Sequence, residues 1–164
     1  MRVCRFLACS LCLLALVSSG ADTVYVDCHA AEGGDGSALL PYQTLQLGID
    51  AAQDGDVVSV APGTYADFTT TGSYGRVCAV ISDKTIVLKA SGARGSTIIR
   101  GRRDASASHG MGPDSVRGLV CSSAGSTVIS NFTFVGCCGP YDNNNGLGGG
   151  ARARVSSATL ACSR

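Results

Sequence analysis

The chain has 164 residues, with 13 basic against 12 acidic side chains, 22 glycines and no tryptophan. So even a balance leaves no cationic excess to hold nucleic acid or an anionic membrane surface. An apolar share of 45% is ordinary for a packed domain and excludes a wholly disordered chain.

Residues 1–21 read as an export signal. Arg2 and Arg5 give a basic start, Phe6 to Val17 is an apolar run, and Ser19-Gly20-Ala21 offers small residues for cleavage. The run falls short of the ~20 apolar residues a spanning helix needs, so no membrane span is expected after signal removal. The expected address is secreted or cell-surface, periplasmic if the source is bacterial. Cleavage leaves Cys28, Cys78, Cys121, Cys137, Cys138 and Cys162. An even number in an exported chain permits disulfides, and stacking as small apolar side chains suits them equally. No Cys-x-x-Cys pair is present and His29 is far from His109 in sequence, so no metal site is expected.

Residues 22–164 are read as one domain, with a capping segment at 22–65 and coils at 66–164. Within the cap, Leu45, Ile49 and Ala52 share one face of a helix predicted over Thr44–Gln53. Thr44 is its predicted N-cap and Gly55 its C-terminal stop. Val57 to Val60 is β-branched and ends at Pro62-Gly63, which predicts a buried strand and a turn. Asp27, Glu32, Asp35 and Asp54-Gly55-Asp56 are read as turn and helix-end residues, since their spacing matches no calcium loop.

The string Pro41-Tyr42-Gln43-Thr44-Leu45-Gln46, continued by Ile49-Asp50-Ala51-Ala52-Gln53-Asp54-Gly55-Asp56 and Ala61-Pro62-Gly63-Thr64-Tyr65, resembles a known pattern. It looks like the N-terminal cap and first coil of right-handed parallel β-helix proteins, the pectate-lyase-like superfamily. Val24-Tyr25-Val26-Asp27 and Gly34-Asp35-Gly36-Ser37 fit the same pattern. The resemblance covers residues 23–65. It implies an all-β fold, a right-handed parallel β-helix (solenoid) with a short N-terminal capping α-helix. That fold hosts polysaccharide lyases, pectin methylesterases and non-catalytic surface proteins, so it implies no single activity.

Further strands are predicted at 76–81, 84–90, 96–100, 118–121, 126–129 and 131–134, separated by glycine- and serine-rich turns. Cys78 and Thr85 echo in Cys121 and Thr127, which predicts two coils of ~20 residues between each pair. Asp142 to Gly150 is a polar, glycine-rich loop, and Ala158 to Cys162 reads as the start of a further coil. The chain is therefore expected to be an incomplete solenoid.

Chemistry is sparse. The densest polar region runs from Arg100 through Arg102, Arg103 and Asp104 to His109, Asp114 and Arg117, and is read as a solvated loop. Lyases that the cap resembles use a Lys or Arg base with calcium held by clustered carboxylates, and no such cluster is present in this region. Asn131-Phe132-Thr133 matches an N-glycosylation acceptor, but strands flank it on both sides, which favours a turn asparagine between two strand segments. The expected function is a scaffold or binding module for polysaccharide or a cell-surface partner, with no catalytic residue assigned and no cofactor. The alternative is a carbohydrate-active lyase or esterase, with calcium implied only there.

Overall fold

The computed structural model describes residues 20–122, 126–139, 151–154 and 158–161. Residues 1–19 of the expected signal, the loop at 142–150 and Cys162 lie outside them. The described chain is all-β with one α-helix. Strand β1 (Thr23–Val26) precedes helix α1 (Leu45–Ala51). One pass of chain then gives β2 (Val57–Val60), β3 (Gly63–Tyr65), a short β4 (Thr69–Thr71) and β5 (Gly75–Ser82). The next gives β6 (Val87–Ala90), β7 (Thr97–Arg100) and β8 (Val116–Ser122). The following one gives β9 (Thr127–Ser130), β10 (Thr133–Val135) and β11 (Ala151–Arg154), and β12 (Ala158–Ala161) comes last.

These strands form three sheets, ordered β1-β2-β6-β9-β12, β10-β7-β3 and β11-β8-β5-β4. Every pairing is parallel except the β4–β5 hairpin, which was not foreseen. Glycine at 75 (φ 67) lets the hairpin turn back, and Thr71 closes it by accepting the Tyr74 N–H at 3.0 Å.

The predicted repeat of ~20 residues is too short. Val57 faces Val87, 30 residues on, and Val87 faces Val128, 41 residues on. Each pass places one strand in each of the three sheets, and it is lengthened by the segment 66–74, which holds the extra strand β4, in the first pass and by the loop 101–115 in the next. The cysteine echo thus marks one pass rather than two coils, and it is out of register: Ile81, not Cys78, faces Cys121.

The core lies between the sheets. Val58, Val60, Ile81, Leu88 and Ile99 are wholly buried there. β2 and β6 bury alternate residues, whereas β8 is buried along nearly its whole length. Burying side chains of this size contributes about 1.5–3 kcal/mol each.

Helix α1 packs against β1, β2 and β5. Leu45, Ile49 and Ala52 are buried, as the spacing predicts. Thr44 caps the start, its Oγ1 accepting the Leu47 N–H at 3.3 Å. The other end differs from expectation. The helix stops at Ala51, and Gly55 (φ 93) shapes the turn into β2 instead of capping. The Lys84 ammonium does the capping, donating to the Ile49, Asp50 and Ala52 carbonyls at 2.7–2.8 Å. The Asp54–Asp56 turn behaves as read: Asp54 Oδ1 accepts the Thr85 N–H, and Asp56 accepts the Asp22 and Gln53 N–H groups.

Gln46 completes the seal. Its Oε1 accepts the Val80 N–H at 2.8 Å and its Nε2 donates to the Val80 carbonyl at 3.1 Å. β4 pairs with β5 only as far as Val77, so the amide of one side chain supplies what a neighbouring strand would. Gly48 lets α1 come this close. A Cβ there would sit 2.3 Å from Val26 Cγ2. Gly48→Ala is therefore expected to destabilise by about 1–2 kcal/mol, although alanine favours a helix by nearly 1 kcal/mol. Urea unfolding checks it; a raised midpoint would show that β1 yields.

Candidate functional site

The polar region read as a solvated loop is organised from within. Asp104 is buried, with 4% of its surface exposed. Its Oδ1 accepts the Ser106 N–H and hydroxyl at 2.8 and 2.6 Å, and its Oδ2 accepts the Asp114 N–H at 3.0 Å. Arg117 is equally buried on β8, donating from Nε to the Tyr74 carbonyl at 3.0 Å. Both residues correct the sequence reading. The loop folds over Asp104 because one carboxylate satisfies three donors at once.

Those bonds, with Ser106 foremost, hold the Asp104 carboxyl below its ordinary value. The folded state therefore favours the ionised form. Its contribution is present above the unfolded value near pH ~4 and is lost as pH falls through the lower folded value. Asp104→Asn is expected to raise amide exchange across residues 104–114, because one acceptor oxygen becomes a donor. Acidification of the wild type should do the same. Unchanged exchange in the variant would show that the loop holds without the carboxylate.

The ordered loop presents a cluster at the corner between the β7 sheet and the β8 sheet. The guanidinium carbons of Arg76 and Arg102 lie 5.5 and 5.7 Å from the centre of the Phe68 ring. Phe68 is 44% exposed, in the segment after β3. Asp114 forms an ion pair with Arg76 and accepts the Arg102 Nε–H on its carbonyl at 3.3 Å. Two cations on one exposed ring make a platform with hydrogen-bond donors at its rim.

Of the residues singled out from the sequence, Arg102 and Asp114 meet here. Arg100 ends β7 and is exposed; Arg103 donates to the His109 carbonyl at 3.1 Å beside the 3-10 turn Ser108–Gly110. Phe68 and Arg76 were missed. Gly63 faces Thr97 across the β3–β7 pair, 34 residues apart, and the same step carries Phe68 to Arg102. A correct repeat length would have joined them.

Asn131 adopts a left-handed conformation (φ 67) between β9 and β10. Its Nδ2 donates to the Ala90 and Gly92 carbonyls at 3.1 and 2.9 Å, tying one pass to the preceding one. The turn reading thus describes its geometry. Among the described cysteines, Cys28, Cys78, Cys137 and Cys138 are free thiols, Cys78 and Cys138 of them buried, and Cys121 is buried on β8. Burial, with a smaller contribution from Cys137, pushes the Cys78 thiol up to about 12.

Two hollows flank α1. One of about 320 Å³ is bordered by Gln46, Asp50, Thr69, Thr71 and Lys84, and another of about 400 Å³ by Glu32, Tyr42 and Leu47. Gln46 and Lys84 already serve the helix seal, Asp50 Oδ1 accepts the Gln46 Nε2–H at 2.8 Å and Thr71 closes the hairpin, so most polar groups around the first hollow are engaged in the fold. Among the described residues, no helix is long and apolar enough to cross a membrane. Compared with protein-family models, curated proteins and solved structures, the chain matches none.

Proposed function

We propose that the chain is an exported right-handed parallel β-helix, capped by α1, that binds extracellular polysaccharide or a cell-surface partner without turning it over. Parallel registers repeated in three sheets support the architecture. The observation that carries the binding role is the Phe68 ring flanked by Arg76 and Arg102. Arg76 is held by Asp114, whereas Arg102 meets the Asp114 carbonyl through Nε; its guanidinium can pair with a ligand carboxylate while the exposed edge of Phe68 offers apolar contact to a sugar's C–H groups. Acidic polysaccharide fits that pairing best. Two carboxylates of this region are already engaged, Asp104 by its own loop and Asp114 by Arg76, so calcium-dependent elimination finds no free ligand pair in them. Export through a eukaryotic secretory route would also expose Asn131 to glycosylation before folding hides its amide.

The test is retention of the full chain on immobilised polyuronate and on neutral glucan, with and without calcium. Salt-sensitive retention on the polyuronate, weakened about tenfold or more in Arg102→Ala, is expected for the loss of one guanidinium contact. Release of unsaturated oligosaccharides would replace this reading with the lyase. Equal retention of wild type and variant would remove the corner from it.

A further inference from the structure

We propose that Asp27, Cys28 and His29, in the loop after β1, bind a divalent cation of the zinc class. One donor atom from each residue lies within 4.8 Å of the other two. The loop is built to bring them together. Asp27 Oδ1 accepts the His29 N–H at 2.9 Å, which curls the segment so that both side chains turn the same way. Cys28 is pinned from beneath, its N–H donating to the Tyr65 hydroxyl at 3.3 Å. That hydroxyl belongs to a buried ring and donates in turn to the Ala61 carbonyl at 3.0 Å.

A second chain segment makes room for the cluster. A Cβ on Gly63 would lie 2.3 Å from Cys28 Sγ and 3.4 Å from His29 Nε2. Thiol and imidazole therefore lean over the same stretch of backbone, and only glycine leaves space for both. With a φ of 154° that position also lies where side chains are disfavoured.

The donor set selects the ion. Zinc takes carboxylate oxygen, thiolate sulfur and imidazole nitrogen at about 2.0–2.3 Å in a tetrahedron. Calcium and magnesium take oxygen and leave a thiol unused. Side-chain adjustments of about 1 Å would bring three donors to those distances, with water in the fourth position. His29 is exposed and Asp27 half-exposed, so an ion can enter from solvent. Without metal, burial and then the Asp27 charge raise the Cys28 thiol above its ordinary value. Binding replaces that proton: Cys–SH and M²⁺ give Cys–S–M⁺ and H⁺, and no electron moves.

Titration of the reduced full chain with Co²⁺, followed by Zn²⁺ displacement, tests the site. A thiolate-to-cobalt charge-transfer band saturating at one equivalent is expected, lost in Cys28→Ser and weakened about tenfold or more in His29→Ala. His29 lies at the surface, so its variant reports even if the cysteine variant fails to fold. Three results overturn the proposal: no band in the wild type, a band that survives Cys28→Ser, or a band unchanged in His29→Ala. Peptide mapping of protein purified without reductant adds a fourth, Cys28 found in a disulfide.

Discussion

Ile49→Asp is expected to cost about 4–5 kcal/mol or more and to open the N-terminal end of the domain. Ile49 is 1% exposed, in one cluster with Val26, Leu45 and Val58. The substitution removes the transfer energy of an isoleucine, about 1.5–3 kcal/mol, and buries a carboxylate with no partner. The second effect is the larger. It would hold the new carboxyl neutral in the folded state, raising its affinity for protons there. The deficit should therefore be greatest at neutral pH and shrink as the unfolded chain also protonates, near pH ~4. Urea unfolding at both pH values measures this. A variant as stable as wild type would mean that α1 does not cover the core.

Lys84→Met is expected to cost about 2–3 kcal/mol, the second-largest effect. Methionine keeps the apolar stem but removes three charge-assisted hydrogen bonds to the end of α1. Each is worth about 1.5–3 kcal/mol in mutational series, but water would reclaim some of the freed carbonyls. A helix of 7 residues is too short to persist unaided, so its capping and packing should fail together. One lysine bond goes to the Ile49 carbonyl, so the two substitutions touch the same turn. Their combined loss should fall well short of the sum. Full additivity in a double-mutant cycle would show that Lys84 stabilises something other than the helix.

The helix and most strands were legible because their signals are local. Leu45, Ile49 and Ala52 are read from spacing alone, and Thr44 from its hydroxyl. The repeat length was not legible, because the outward positions of β2, β6 and β9 hold Val57, Val87 and Val128 beside Ser59 and Lys89. Apolar residues on both faces blur the alternation that would mark strand boundaries. The short echo between cysteines therefore suggests two coils. That shorter step conceals the cluster, since Phe68 and Arg102 are neighbours only at the longer one. Asp104 is concealed for a different reason. Charge density suggests surface, yet a carboxylate with three donors around it can organise a loop from inside.

The side chain of Gln46 also has a meaning for solubility. Unclaimed amide and carbonyl groups along a sheet border invite a second molecule to dock strand against strand. At Val80 both groups are already taken by a side chain of the same molecule. The residue that holds the helix in place therefore also acts as a barrier between molecules, shielding this border from polymerisation.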